Sequence, residues 1–152
     1  MRILLDTNIL LRLTDTDHPT HDAAKQAVSL LETHAANTVL VPQVLYEYWA
    51  VATRRVEHNG LGRDVATVTA DIADYTELFR LLRDERGIFE KWRELVTTYA
   101  VHGKPTHDAR LVAATQRHGI SNLLTFNTAD IQRFTGLRAF SPADILGGLL
   151  PA

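Results

Sequence analysis

The sequence predicts an α/β fold, a parallel sheet covered on both faces by helices. Three observations carry this reading. Short runs such as Arg2 to Leu5 and Thr38 to Val41 are largely apolar or β-rich, the pattern of buried strands rather than of a sheet with one face in water. Longer segments with apolar residues at helical spacing lie between them. The two kinds alternate along the chain, as a parallel sheet with crossover helices requires.

Arg2 to Leu5 reads as the first strand, ending in Asp6, and Thr7 to Leu13 continues in a helix-compatible pattern until Thr14-Asp15-Thr16-Asp17-His18-Pro19 breaks it. From about Pro19 to His34, Ala23, Ala27, Leu30 and Leu31 recur at helical spacing, and Thr38 to Val41 is a second strand ended by Pro42. A helix is expected from about Gln43 to His58, stopped by Asn59-Gly60, and another from about Arg63 to Asp74. Leu78 to Leu82 reads as a third short strand. A helix from about Asp84 to Val101 places Ile88, Trp92, Leu95, Val96 and Tyr99 on one stripe and ends at His102-Gly103-Lys104-Pro105. The next starts near Thr106 and stops at His118-Gly119. Asn122 to Thr125 and Arg138 to Phe140 are the last two strands, with a turn or helix after Ser141-Pro142.

At 152 residues the chain fits one domain able to bury most of its apolar surface without covalent staples. It has no cysteine, which excludes disulfides, thiolate zinc sites and thiol nucleophiles. The apolar run before Asp6 is too short for a signal-peptide core, and no run approaches the ~20 residues of a membrane span, so a soluble cytoplasmic protein with no membrane contact is expected. The formal charge is -2, yet 13 of the 16 cations are Arg, the side chain best suited to bidentate phosphate contact, so composition leaves nucleic acid open as a partner.

Three carboxylates interrupt apolar patterns: Asp6 after Ile3-Leu4-Leu5, Glu47 on a helix whose Val44 and Val51 share its face, and Asp108 on a face with Leu111, Val112 and Thr115. A buried unpaired carboxylate costs several kcal/mol, against a net stability of about 5 to 15 kcal/mol for a whole domain. Asp6 could be a helix N-cap, and Asp108 could complement a helix dipole from its first turn. Those readings require independent coincidences, whereas one site for a hard, oxygen-ligated cation explains all three acids. Such a cation is magnesium or manganese, and its usual chemistry is on phosphate.

Asp6-Thr7-Asn8 after the first strand, Pro42-Gln43-Val44-Leu45-Tyr46-Glu47-Tyr48-Trp49, His107-Asp108-Ala109-Arg110-Leu111-Val112-Ala113 and Leu124-Thr125-Phe126-Asn127-Thr128-Ala129-Asp130 together resemble the PIN domain, and more narrowly the VapC-type ribonuclease toxins of toxin-antitoxin pairs. The resemblance covers essentially the whole chain. It implies a single PIN-like nuclease domain over residues 1–152, a three-layer sandwich with a five-stranded parallel sheet of order 3-2-1-4-5. It also implies Mg2+- or Mn2+-dependent endonucleolytic cleavage of RNA, with Asp6, Glu47 and Asp108 as catalytic acids and the metal on Asp6 and Asp108. A cognate antitoxin protein and a homodimer are the implied protein partners. Thr7, Asn8, Arg110 and Thr125 are candidates for supporting the acids or contacting substrate. The family often carries a fourth acid just after strand four, in a pattern like T-x-D; here that position is Asn127, and Asp130 lies one helical turn further on.

Other features carry less. The seven histidines show no H-E-x-x-H spacing, and His107 beside Asp108 reads as a surface or capping residue. Thr14-Asp15-Thr16-Asp17 lacks the Gly and Glu of a calcium loop. Tyr46, Tyr48 and Trp49 could stack on RNA bases but suit a core or subunit interface better. An aspartyl-nucleophile phosphatase would want a second acid where Asn8 stands. A PIN-like RNA- or protein-binding module with weak or lost catalysis is the alternative that Asn127 motivates.

Overall fold

Strand runs with no polar face must be covered on both sides, and the computed structural model, which describes residues 1–152, shows how. Its elements are β1 (Arg2–Leu5), α1 (Thr7–Thr14), α2 (His21–Thr33), β2 (Asn37–Leu40), α3 (Pro42–Thr53), α4 (Val65–Leu78), β3 (Arg80–Leu81), α5 (Gly87–Thr98), α6 (Pro105–Arg117), β4 (Asn122–Leu124), α7 (Thr128–Ile131), β5 (Arg138–Phe140) and α8 (Pro142–Leu146), with a 3-10 turn at Val56–His58. The strands form one sheet of order β3-β2-β1-β4-β5, every pairing parallel, as the resemblance implies. Ile3, Leu4 and Leu5 of β1, Val39 and Leu40 of β2, and Leu123 and Leu124 of β4 are inaccessible to solvent. The main helix contacts fall into two groups: α1 with α2 and α3, α2 with α8 and α3 with α4 form one, and α6 with α5 and α7 the other. No helix is long and apolar enough to cross a membrane.

Several boundaries differ from the sequence reading. Helix α3 stops at Thr53 rather than continuing to His58. Its terminal carbonyls are taken by the returning loop: Leu61 N–H donates to Val51 O, Arg63 N–H to Ala52 O and Gly62 N–H to Arg54 O, at 3.1, 2.9 and 2.8 Å. Such long-range capping of a helix end leaves no local trace in the sequence. Helix α4 begins one residue after Asp64, whose carboxylate caps Thr67 N–H, and runs on to Leu78, so that the third strand shrinks to Arg80–Leu81. Helix α5 starts later than expected because Glu85 is drawn into a two-bond pair with Arg117 while also accepting from Gly87 N–H, and it ends sooner, at Thr98, just before Ala100 turns to a left-handed φ of 47°. The helical turn that the spacing of Asn127 and Asp130 implies is α7, a single turn.

A polar cluster binds α1, α3 and α4 together. The Tyr48 hydroxyl donates to Asp71 and also meets Thr14, both at 2.8 Å, while Arg63 makes two bonds to the Asp71 carboxylate at 2.8 and 2.7 Å. The Tyr75 hydroxyl joins at Thr14. Burial holds the Tyr48 phenol well above its ordinary pKa, so it remains a donor throughout the physiological range.

The return loop after α3 gives a test. A Cβ on Gly60 would overlap the carbonyl group of Arg54, which is backbone and cannot swing aside. Gly60→Ala should therefore lower stability by about 1 to 3 kcal/mol in urea melts, the range of overpacking changes, by lifting the loop off the α3 terminus. Unchanged stability would refute this account of where α3 ends.

Candidate active site

An all-parallel sheet delivers the carboxyl ends of its strands to one edge, and a helix that leads back into the sheet starts at that same edge. The candidate residues lie there: Asp6 follows β1 and caps α1, Gln43 and Glu47 occupy the first turns of α3, Asp108 the first turn of α6, Thr125 follows β4 and Asp130 lies in α7. The chain thus brings acids to several helix N-termini, where the backbone dipoles favour negative charge.

Asp6 is held by its neighbours. One carboxylate oxygen accepts from Thr7 N–H at 2.7 Å, and the other accepts from the Thr125 hydroxyl at 2.8 Å and, at 3.4 Å, from the Asn8 amide. The Thr125 oxygen in turn accepts from Asn8 Nδ2 and from Asn127 N–H, both at 3.0 Å, so its one donor and two acceptor positions are all used. Asn8 Oδ1 accepts from Phe126 N–H at 3.1 Å, tying the ends of β1 and β4 a second time. Thr125 is fully buried.

Glu47 is half-buried and makes two contacts. Its Oε2 accepts from the Thr7 hydroxyl at 2.8 Å and its Oε1 from Gln43 Nε2 at 3.0 Å. Gln43 is the residue that the sequence reading missed. Nearly inaccessible, it also donates to the His107 carbonyl at 2.8 Å and accepts from Arg110 at 2.9 Å. Its two donors face two acceptors and its oxygen faces a guanidinium, which fixes the amide orientation. The available signal was a Gln four residues before Glu47 on a helix with few other polar residues. Arg110 is not free: its other end reaches Asp84 at 3.3 Å.

Asp108 enters this group through charge alone. Burial raises its carboxyl above the ordinary range, and the nearby charges of Asp130 and then Glu47 raise it further, while His107 opposes them. Asn127 is exposed and bonds through its backbone, whereas Asp130 acts on Asp108 directly. His107 is exposed, in keeping with a surface residue.

Asp6, at the centre, has its pKa raised from 3.8 to about 6. Burial is the main cause; the bonds from Thr125 and Thr7 pull the other way, and the charges of Glu47 and Asp108 add to the rise. None of Asp6, Glu47, Asp108 and Asp130 is paired with a cationic side chain. No three of these groups converge closely enough to form a metal-binding cluster as they stand. Their chemistry nevertheless fits a hard divalent cation: every donor is an oxygen, no soft ligand intervenes, and mutual repulsion is what such an ion relieves.

The sequence matches the model of the PIN domain over residues 3–137. It is 29% identical over 145 residues to the ribonuclease VapC48 of Mycobacterium tuberculosis, an alignment covering 90% of this chain and 94% of that protein. Among solved structures, it resembles VapBC2 from Rickettsia felis bound to a promoter DNA fragment (TM-score 0.71, 15% identity, 93% of this chain and 98% of the other). It also resembles the sarcin-ricin-loop-cleaving toxin VapC20 of Mycobacterium tuberculosis (TM-score 0.66, 20% identity, 90% and 98%).

The raised pKa of Asp6 contributes to the pH dependence of the metal-free protein. A carboxyl near 6 when folded and 3.8 when unfolded gives stability that is fully present below pH 3.8 and lost as the pH rises through about 6. In excess EDTA, Asp6→Asn should therefore stabilise the fold at pH 7.5 by about 2 kcal/mol, after allowance for water reaching the half-buried carboxylate, and by little near pH 4. Denaturant melts at the two pH values measure it. Equal effects at both would mean that the Asp6 charge is not strained.

Proposed function

The chain belongs to the PIN-domain family, and on that premise we propose that it is a metal-dependent endoribonuclease, a single nuclease domain over residues 1–152 acting as the toxin of a toxin-antitoxin pair in the cytoplasm. The observation that carries the reading is Asp6: a carboxylate placed by β1 at the sheet's ligand-binding edge, raised in pKa by burial and by two further acids, with no protein cation beside it. Similarity to a ribonuclease of the VapC type supports the reaction class. An apolar groove of about 450 Å³ between α3 and α4, lined by Leu45, Tyr46, Trp49, Thr69 and Ile72, supports a protein partner; Tyr46 and Trp49 lie on its exposed rim. An amphipathic antitoxin segment suits it, and a homodimer completes the proposed assembly.

In this reading Asp6 and Asp108 hold Mg2+ or Mn2+, and Asp130 rather than Asn127 supplies the fourth acid. When bound, the ion would lower the pKa of the attacking water and neutralise charge on the scissile phosphate. The protein's own part is positioning. Thr125 and the Thr7 amide fix both oxygens of Asp6. Thr7 and Gln43 fix both oxygens of Glu47, leaving this carboxylate to orient the water and take up its proton. Arg110, bonded to Gln43, keeps that amide turned with one N–H toward Glu47 and the other toward the His107 carbonyl.

Purified, partner-free protein should cut single-stranded RNA with magnesium or manganese and stop in excess EDTA. Asp130→Asn should raise the manganese concentration needed for half-maximal cleavage, and Asn127→Ala should not. Cleavage undiminished by chelator would overturn the metal mechanism. A second test separates positioning from fold. Gln43→Leu, assayed at a temperature where the variant is fully folded, should lower kcat by about 10- to 100-fold, the usual effect of removing a group that orients a catalytic one, and it should also lower the melting temperature in EDTA because the His107 carbonyl and Arg110 lose their partner. Full activity in Gln43→Leu would remove Gln43 from the mechanism.

A further inference from the structure

Outside the acid cluster, one cleft lies on the same edge of the sheet. The loop after β3 and the start of α5 enclose about 380 Å³ lined by Asp84, Glu85, Arg86, Ile88, Phe89, Trp92 and Arg110. Its floor is aromatic and fixed: the Trp92 indole N–H donates to the Thr106 carbonyl at 3.0 Å, and Phe89 lies against the indole with ring centroids 5.9 Å apart and planes inclined by 31°. Phe89 is 59% exposed, so one face of this ring pair is open to a ligand.

The charges around the cleft leave one guanidinium spare. Asp84 is bonded to Arg110 and Glu85 to Arg117, so both acids are neutralised, while Arg86 is exposed and makes no ion pair. The cleft is also linked to the proposed nuclease site, because Arg110 lines it and bonds Gln43, which bonds Glu47. A flat apolar ring, a spare guanidinium and two hydrogen bonds' distance from a catalytic carboxylate are the features of a site for one nucleotide beside the scissile bond.

We propose that this cleft is a nucleobase subsite, in which a base of the single-stranded RNA stacks on Phe89 over Trp92 while Arg86 takes the adjoining phosphate. The inference rests on the ribonuclease reading and adds to it the residues that seat the substrate. Stacking on a ring makes the subsite tolerant of base identity, so its contribution is to affinity and register rather than to sequence choice.

The test measures binding to the intact protein in EDTA, where no cleavage occurs, by fluorescence anisotropy with two probes of equal length: an oligoadenylate and a chain of base-less spacer phosphates. Wild type should bind the oligoadenylate more tightly. Phe89→Ala should weaken that binding about tenfold and leave the base-less chain unchanged, Phe89→Tyr should retain the preference, and Arg86→Ala should weaken both probes alike. Light scattering should give wild type and Phe89→Ala the same mass. An undiminished base preference in Phe89→Ala, its loss in Phe89→Tyr, or a fall in mass showing that the ring seats a second subunit would each overturn the subsite. Failure of the ribonuclease reading itself would appear separately, as no metal-dependent cleavage by wild type.

Discussion

The structure depends on keeping one charged carboxylate at the end of the central strand. Asp6 follows three residues with no solvent exposure, and burial drives its pKa upward against the hydrogen bonds that hold it. Those bonds come from separate parts of the chain: Thr7 and Asn8 from α1 and Thr125 from the end of β4. Asp6 N–H also continues the β1–β4 ladder onto Leu124 O at 3.0 Å. The register of the two central strands, the start of α1 and the position of the acid are therefore one constraint. A slip of the pairing would cost the carboxylate the Thr125 hydroxyl and leave its charge less satisfied in a site that already disfavours it.

The same economy fixes Glu47. A helix can slide or roll on an apolar face at small energetic cost, so apolar packing alone does not set a functional carboxylate to within a fraction of an ångström. Helix α3 is pinned on two sides. Tyr48, the next residue, reaches Thr14 and the Asp71–Arg63 pair, and on the other side Gln43 and Glu47 reach Thr7, His107 O and Arg110. Polar contacts in different directions define its rotation. Most are partly buried, where a hydrogen bond loses little to water and an orphaned partner is costly.

Much of this was legible in the sequence, for a physical reason. Strands buried on both faces must be apolar throughout, so Asp6 at the end of one stands out, while Glu47 and Asp108 were visible as acids on helix faces shared with apolar residues. The sheet order came from the resemblance rather than from periodicity. What stayed hidden depends on contacts between distant residues. The early end of α3 is set by a loop that folds back onto its carbonyls; Gln43 looked like a first-turn helix residue until His107 and Arg110 surrounded it. Arg110 read as a spare cation for phosphate, but Gln43 and Asp84 engage it, whereas Arg86, one of many arginines in the sequence, is the unpaired one in the cleft. The Asp71 cluster had no signal, since Tyr48, Asp71 and Arg63 belong to no common local pattern.

The replacement of an acid by Asn127 bears on whether the site is catalytic or relict. Asn127 occupies the N-cap position of α7, and Asp130 follows three residues later in its first turn. Positions three apart on a helix share a face, so a single turn can return the displaced charge toward the site. Asp108 registers it: the charge of Asp130 acts on its carboxyl more strongly than that of Glu47. A site that had lost its use would have no reason to keep like charges close together without a protein cation, because each repulsion lowers the stability of the metal-free fold. On the proposed reading Asp130 stands in for the acid that position 127 lacks, and the repulsion that Asp130 and Glu47 exert on Asp108 is what a divalent cation would relieve.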